Sequence, residues 1–212
     1  MEYNDLISGI KRFGATDKEI CAHVLGISSE KIQENIVITP GWRPEKVPGL
    51  GKAELITSSG TLFASYQVWN IKSDDIEITY IITGYGAPVL MDALLSLGIS
   101  NCKKIIFVSS VGALDSKIGI GDIVIPEYSI CGDGASRYIA SDKMETAVAF
   151  RAAKLMKKPL VALFSVSDNT AANKSLICER PQDEINYRQF VRGEILPKIV
   201  LNLIKADSSP KI

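Results

Sequence analysis

The sequence of 212 residues has few of the residues that would support a metal or redox site. Its cysteines, Cys21, Cys102, Cys131 and Cys178, are widely separated and form no Cys-x-x-Cys pair, which excludes zinc-ribbon and dithiol sites. No metal site is therefore expected. The chain also has no net charge, with 24 basic and 24 acidic residues. This balance predicts neither a nucleic-acid partner nor binding to an acidic membrane surface.

Long apolar runs are absent as well. None reaches the roughly 18 residues that a membrane span needs, and the first residues lack the basic start and apolar stretch of a secretory signal. We therefore expect a cytoplasmic protein without a membrane partner. With 46% hydrophobic residues and no linker-like stretch, residues 1–212 are predicted to form a single domain.

The apolar residues that are present alternate between strand-like runs and helical spacing. A helical N-terminal leader is predicted over about residues 1–35, with Asp17 as the candidate cap of its second helix. Further helices are predicted at 89–98, 144–156 and 182–206, and strands at 36–39, 62–69, 76–83, 103–110, 121–130 and 159–168. Pro197 is expected to kink or split the last helix. This alternation predicts a three-layer α/β/α sandwich with a largely parallel mixed sheet.

Polar residues follow three of the predicted strands. They are Gly84–Pro88, Ser109–Gly112 and Ser167–Asn169. Because ligands bind beyond the carboxyl ends of strands in such sheets, these segments mark a candidate site. The glycines of the first segment allow close approach of a ligand, and the following helix offers a positive dipole end to an anion. An ordinary tight turn between strand and helix is the alternative interpretation.

Several motifs in order resemble the nucleoside phosphorylase superfamily, which includes uridine and purine nucleoside phosphorylases and methylthioadenosine nucleosidases. They are GYGAP (84–88), KKIIFVSSVGAL (103–114) and GIGDIVIPEYSICGDGAS (119–136). The resemblance runs from about 36 to 136 and from 144 to 169, and Gly132–Ser136 is most similar to the uridine phosphorylase branch. It implies a nucleoside phosphorylase-like fold without metal or organic cofactor, with a nucleoside substrate, phosphate as co-substrate and a homo-oligomer.

The resemblance assigns a phosphate- or water-binding site to the glycine-rich turn. Gly84, Tyr85 and Gly86 would line it, and Ser110 would match the Ser/Thr that hydrogen-bonds phosphate in the family. Arg43 aligns with a phosphate-binding arginine if a short deletion precedes it. A solvated surface arginine in a turn is the alternative for Arg43.

The resemblance also implies residues for the sugar and the base. Met144 and Glu145 resemble a Met-Glu pair whose carboxylate accepts hydrogen bonds from the ribose hydroxyls. Asp168 is the candidate general acid, since purine-cleaving relatives have an Asp in a similar Ser-Asp motif and the uridine branch lacks it. An exposed acid near a helix start is the alternative for Glu145, and a helix or turn cap is the alternative for Asp168.

Two departures from the family pattern keep the reaction open. Phe107 occupies the place of a phosphate-binding arginine, and an aromatic ring cannot neutralise a dianion. Only residues 137–143 separate Ser136 from Met144, where family members place a long segment that contacts the nucleobase. His23, the only histidine, has no motif around it and is expected to be structural or solvent-facing.

The expected activity is that of a pentosyltransferase, which cleaves the N-glycosidic bond of a nucleoside by phosphorolysis to the base and ribose 1-phosphate. A hydrolytic nucleosidase that uses water is the first alternative, favoured by Phe107. A catalytically impaired nucleoside-binding protein is the second, favoured by the short stretch between 136 and 144. The sequence does not indicate which nucleobase is bound.

Overall fold

Helices and strands alternate along the chain, as the apolar pattern predicts. The computed structural model describes residues 2–60, 65–129, 144–177 and 179–206. The helices are α1 (Tyr3–Lys11), α2 (Asp17–Leu25), α3 (Ala87–Leu97), α4 (Met144–Met156), α5 (Gln182–Phe190) and α6 (Leu196–Lys205). The strands are β1 (Asn35–Thr39), β2 (Lys52–Gly60), β3 (Ser65–Ser73), β4 (Ile76–Ile82), β5 (Lys104–Ala113), β6 (Ile123–Val124) and β7 (Leu160–Asn169).

In the described part of the chain, seven strands form one sheet in the order β2-β3-β4-β1-β5-β7-β6. The central strands β4, β1, β5 and β7 are parallel to their neighbours in this group. Antiparallel strands flank them, with β3 and β2 at one edge and β6 at the other. The carboxyl ends of the four parallel strands therefore meet at one edge of the sheet.

Helices cover both faces of this sheet. On one face, Leu25 of α2, Leu94 of α3 and Ala152 of α4 are buried in a cluster that includes Phe107 of β5. On the other face, Leu196 and Val200 of α6 are buried against residues that include Val37 of β1 and Val108 of β5. Adjacent residues of β5 thus belong to opposite layers, as the alternation of strand side chains requires. The predicted three-layer α/β/α sandwich with a mixed, mostly parallel sheet is confirmed.

Strands β5 and β7 extend beyond their neighbour β1. The pairing of β1 with β5 ends at Ile38↔Phe107, whereas the pairing of β5 with β7 continues to Ala113↔Asn169, with a bulge between Val111 and Gly112. Ser109–Gly112 therefore lie within β5 and not after it, which corrects the predicted end of this strand. The two strands form a ledge at the carboxyl edge of the sheet.

The strand predicted over 121–130 is much shorter in the structure. Only Ile123 and Val124 pair with β7, and Pro126, which has no N–H to donate, follows two residues later. Strand β2 was not expected from the sequence. It is an edge strand with most side chains exposed, so it lacks the apolar alternation that marks a half-buried strand.

The C-terminal helical segment keeps helical backbone angles throughout. Its hydrogen bonding changes from α to π over Val191–Ile195, between α5 and α6, and Pro197 lies in the first turn of α6. The expected split at Pro197 is thus a change of helix type, in which the missing N–H falls at a helix start where it is tolerated. The segment runs antiparallel to β5, because Lys104 at the start of β5 donates from Nζ to the carbonyls of Leu203, Ile204 and Ala206 at 2.7, 3.0 and 2.6 Å.

The N-terminal leader is helical and packs on α3. The hydroxyl of Tyr3 donates to the carbonyl of Leu95 at 2.6 Å, and Cys21 is buried against α3. The cap of α2 is Thr16, not Asp17, because Thr16 and Glu19 form a reciprocal capping box at 2.9 and 3.3 Å.

Two further expectations bear on the leader and the remaining cysteines. His23 is exposed on α2, as expected. Cys102 is buried, as expected of a small apolar residue, while Cys131 and Cys178 lie outside the described residues. No helix in the described ranges is long and apolar enough to cross a membrane.

Candidate functional site

The glycine-rich turn lies beside the end of β1, at the carboxyl edge of the sheet. Gly84 and Gly86 have φ of 80° and 120°, which favour glycine, and Gly86 is the N-cap residue of α3. The amide of Thr83 donates to the carbonyl of Thr39 at 2.9 Å. Tyr85 is 77% exposed, and its phenol packs so closely on Gly41 that a Cβ there would lie 2.5 Å from the Tyr85 Oη. The turn and the β1 loop are therefore direct neighbours.

Arg43 follows the same β1 loop and is exposed. It is the N-cap residue of a 3-10 helix over Pro44–Lys46. Its side chain makes no hydrogen bond or ion pair with the rest of the described chain. The loop therefore brings Arg43 to the carboxyl edge of the sheet, where its side chain is exposed to solvent.

Ser110 and Phe107 occupy different environments on β5. Ser110 is exposed near the end of the strand, where it pairs in register with Ser165 of β7. Phe107 is only 1% exposed, and its ring meets that of Phe164 edge-to-face, with centroids 5.6 Å apart and an interplanar angle of 89°. The position at which the family resemblance implies an arginine is thus part of the hydrophobic core.

Asp168 lies at the end of β7, against the bulge of β5. Its Oδ1 is 2.7 Å from the Oγ of Ser167, and a Cβ on Gly112 would lie 2.8 Å from its Oδ2. The capping function belongs to its neighbour Asn169, whose side chain accepts from the amide of Ala172 at 3.1 Å. The alternative role of Asp168 as a cap is therefore taken by Asn169, and its carboxylate is half-buried beside a glycine.

A cavity of about 340 Å³ opens next to this ledge. Its lining includes Gly112 of β5, Phe164 of β7, Tyr128 and Thr146 of α4. The volume lies within the range of small-molecule sites, roughly 300–1,000 Å³. Because Gly112 contacts Asp168, the cavity and the candidate acid share a border.

The candidate ribose residues begin helix α4. Met144 and Glu145 are its first two residues, and Thr146, the next residue, lines the cavity. The side chains of Met144 and Glu145 lie outside the described residues. The backbone nevertheless brings the start of α4 to the cavity. The motif Gly132–Ser136 and the short stretch up to Met144 also lie outside the described residues.

The sequence prediction missed a row of charged residues at the C-terminal helix. They are Arg180, which lies just before α5, and Glu184, Arg188 and Arg192, which follow at intervals of four residues. This helical spacing places the last three on one face. Arg180 is tied to Glu184 by an ion pair at 3.3 Å and donates to the carbonyl of Ser167 at 2.5 Å. The four-residue spacing was the available signal.

Burial and neighbouring charges perturb the other two arginines. Burial lowers the pKa of Arg188, and the charge of Arg180 lowers it further, while Glu184 and Asp168 act in the opposite direction. The pKa of Arg192 is lowered to about 10, first by burial and then by Arg188 and Arg180. Arg180 thus acts on both of the other arginines, and Asp168 acts on Arg188.

Comparison with curated proteins gives uridine phosphorylases as relatives. No protein-family model matches the chain. Uridine phosphorylases of Salmonella typhimurium strain LT2 and Salmonella typhi are each 29% identical over 122 residues, which cover 55% of this chain and 46% of each relative. The chain thus spans about half the length of the curated relatives that it matches.

Solved structures share the fold. A uridine phosphorylase from Vibrio fischeri ES114, complexed with 6-hydroxy-1-naphthoic acid, superposes with a TM-score of 0.66 at 16% identity, covering 93% of this chain and 100% of that one. A purine nucleoside phosphorylase from Toxoplasma gondii in complex with immucillin-H gives a TM-score of 0.64 at 13% identity, covering 85% of this chain and 95% of that one.

The fold is that of the nucleoside phosphorylases, and the resemblance of the chain to this superfamily is confirmed. Within the superfamily, the curated proteins whose sequences match are uridine phosphorylases.

Proposed function

We propose that the protein cleaves the N-glycosidic bond of a nucleoside by phosphorolysis, releasing the base and ribose 1-phosphate. The observation that carries the proposal is the convergence on one sheet edge. The Gly84–Gly86 turn, Ser110 and Asp168 lie at the carboxyl ends of three parallel strands, beside a cavity bordered by the start of α4. Similarity to uridine phosphorylases over 55% of the chain supports the same reaction class.

Each residue has a role that its chemistry permits. The glycine turn and Ser110 would hold the attacking phosphate, with Arg43 as a candidate ligand from the β1 loop. Glu145, next to Met144 at the start of α4, would accept hydrogen bonds from the ribose hydroxyls and offset charge on an oxocarbenium-like sugar. The reaction needs no metal or organic cofactor, and phosphate is the co-substrate.

Asp168 would protonate the leaving base. A general acid removes the cost of expelling an anion and contributes about 10²–10⁴-fold to the rate. The hydroxyl of Ser167 lies 2.7 Å from Asp168 and 3.2 Å from the carbonyl of Val111. It has a single proton, so when it donates to Val111 its oxygen can accept a hydrogen bond from a protonated Asp168 carboxyl.

The test is release of base from uridine, inosine and adenosine, each with and without phosphate. Phosphorolysis predicts that release requires phosphate and yields ribose 1-phosphate. Asp168→Asn is expected to slow purine release by about 10²–10⁴-fold. The control is Asp75→Asn, an exposed carboxylate between β3 and β4 at the opposite edge of the sheet. Full purine cleavage by Asp168→Asn would remove the general-acid role.

Hydrolysis is the second candidate function, favoured by the burial of Phe107 against Phe164. No cation is available at that position to bind a phosphate dianion. Release of free ribose at an unchanged rate without phosphate would establish this alternative. Nucleoside binding by calorimetry without any base release would instead indicate an impaired binding protein.

Self-association is part of the proposal. The resemblance to the nucleoside phosphorylases supports it, since a homo-oligomer is what that resemblance implies. Size-exclusion chromatography with light scattering is expected to give a homo-oligomer. A monomer over the micromolar range would contradict this part of the proposal.

A further inference from the structure

Two half-buried arginines of the C-terminal helix each have a buried Nε atom without a partner in the described part of the chain. The Nε atoms of Arg188 and Arg192 are buried and make no hydrogen bond within the described residues. Neither side chain forms an ion pair there either. The Cζ of Arg192 lies 4.6 Å from the ring centroid of Trp42, the residue that precedes Arg43 in the β1 loop. Buried polar atoms without partners are rare in native structures, so each one calls for an explanation.

The helix places these arginines towards the ledge formed by β5 and β7. Leu196 and Val200 border the same narrow gap in the core as Val108 of β5, so this turn of α6 packs beside Val108. Since the helix is antiparallel to β5, Arg192, which precedes Leu196 by four residues, lies nearer the carboxyl edge. Ser110 lies two residues beyond Val108 in the same direction.

Arg188 lies one turn further along the same helix. A Cβ on Gly121 would lie 3.3 Å from the Cγ of Arg188, and Gly121 is held to β7 by its amide, which donates to the carbonyl of Val166 at 2.9 Å. The charge of Asp168 also acts on Arg188, where it opposes the lowering of the arginine pKa. Both arginines are therefore near the carboxyl end of β7, on the face of the sheet that the C-terminal helix covers.

The ledge offers hydroxyl groups on this same face. Val108 and Leu163 point towards the C-terminal helix, so Ser110 and Ser165, two residues later on each strand, do so as well. Ser165 is fully buried, and its Oγ has no hydrogen-bond partner in the described structure. Two unpartnered guanidinium groups and two hydroxyls thus face the same space.

The charges in this region do not cancel. Besides burial, the charge of Arg180 lowers the pKa of Arg188, and the charges of Arg188 and Arg180 lower that of Arg192, while the carboxylates that act on Arg188 are Glu184 and Asp168. Glu184 is already bound to Arg180 and to Lys174. A dianion placed between the other two arginines would relieve their repulsion and complete their hydrogen bonds.

We propose that Arg188 and Arg192, together with Ser110, bind the phosphate group at this ledge and supply the positive charge that the strand position occupied by Phe107 lacks. This inference rests on the proposed phosphorolysis and names the residues that hold its co-substrate. Guanidinium groups suit the task, because they donate two parallel hydrogen bonds to phosphate oxygens. Arg192 is oriented by Trp42, and Arg188 lies beside the candidate acid.

Calorimetric titration with inorganic phosphate, in the absence of nucleoside, tests the site directly. Arg188→Gln and Arg192→Gln are each expected to weaken phosphate binding about 10–100-fold, as expected for the loss of a hydrogen bond to a charged group. Lys198→Gln is the matched control, since Lys198 is an exposed cation on α6 paired with Glu194. It is expected to bind phosphate like the unmodified protein.

A second variant separates binding from folding. Arg192→Lys keeps the charge but loses the planar stack on Trp42, so it is expected to retain measurable phosphate binding even if its melting temperature falls. Unchanged phosphate binding in both glutamine variants would overturn the inference, as would an equal loss in Lys198→Gln or no phosphate binding by the unmodified protein. A nucleoside 5′-monophosphate is titrated in parallel. If this ester binds in a way that depends on Arg188 while free phosphate does not bind, the site does not hold phosphate as a co-substrate.

The outcomes also distinguish this inference from the proposed function. If phosphate binding depends on Arg188 and Arg192 but no nucleoside is cleaved, the site is established and the proposed function fails. If nucleosides are cleaved with a strict need for phosphate while both glutamine variants keep the KM for phosphate, the function stands and the site assignment fails.

Discussion

Replacing Phe107 by arginine, the residue type that the family resemblance implies there, is expected to destabilise the protein and not to create a phosphate site. The side chain is 1% exposed and meets Phe164 edge-to-face. Removal of a buried phenylalanine side chain costs about 3–5 kcal/mol, and about 0.5–1.5 kcal/mol of specific aromatic interaction is lost with it. A guanidinium at this position adds the cost of a buried, unpaired charge, so Phe107→Arg should lose more stability than Phe107→Ala.

Urea denaturation followed by the fluorescence of Trp42 and Trp69 measures the effect. For a chain of this length, a loss of about 3–5 kcal/mol lowers the melting temperature by roughly 6–20 °C. Phe107→Leu is the matched control, with an expected loss of about 1–2 kcal/mol. A folded Phe107→Arg protein with an unfolding midpoint close to that of the unmodified protein, and with tighter phosphate binding, would refute this reasoning.

Three further predictions concern other parts of the structure. Gly112→Ala places a Cβ 2.8 Å from the Oδ2 of Asp168, so purine cleavage should fall while the melting temperature changes little; unchanged kcat/KM would contradict this contact. Lys104→Met removes three charge-assisted hydrogen bonds to the end of α6. The free energy of unfolding should fall by about 1.5–3 kcal/mol, measured by urea denaturation, and amide exchange in the last turn of α6 should become faster. Equal exchange rates would exclude a role of Lys104 in capping α6. Burial raises the pKa of the Cys102 thiol to about 12, so the thiolate is scarce at pH 8.5. Iodoacetamide should therefore label Cys102 far more slowly in the native than in the unfolded protein, as measured on its peptide by mass spectrometry. Equal labelling rates would contradict the burial of Cys102.

Elements with a strong local signal were predictable from the sequence. Strands β1, β4 and β7 are apolar runs bounded by turn residues, and α3 and α4 show helical spacing, so each appears near its predicted position. Edge strand β2 was missed because its side chains face solvent and its register is interrupted by a bulge between Leu55 and Thr57. The stability of such a strand comes from pairing with β3, which no local pattern records.

In the candidate site, too, features with a local sequence signal could be predicted, whereas those that depend on contacts between distant segments could not. The Gly84–Gly86 turn and Asp168 follow apolar strands, so their place at the sheet edge could be predicted. The extension of β5 past β1, which puts Ser110 inside a strand, depends on the register with β7. The pairing of Arg192 with Trp42 depends on how a distant helix packs, and the sequence separates these residues by most of the chain.

The π segment at Val191–Ile195 sets the angular phase between the two halves of the C-terminal helix. Each residue of an α-helix advances the side-chain direction by about 100°, so deletion of Gly193 would restore α geometry and rotate α5 about the helix axis by roughly that angle. Leu196 would keep its place in the core, while Arg188 would turn away from the β5–β7 ledge. Gly193 also packs against Gly49 of the loop after β1. A Cβ on Gly49 would lie 2.5 Å from the carbonyl oxygen of Gly193, so the loop and the helix are in close contact at this point. The one extra residue of the π segment thus sets the direction of the arginine side chains, while the apolar face of α6 that packs in the core stays unchanged.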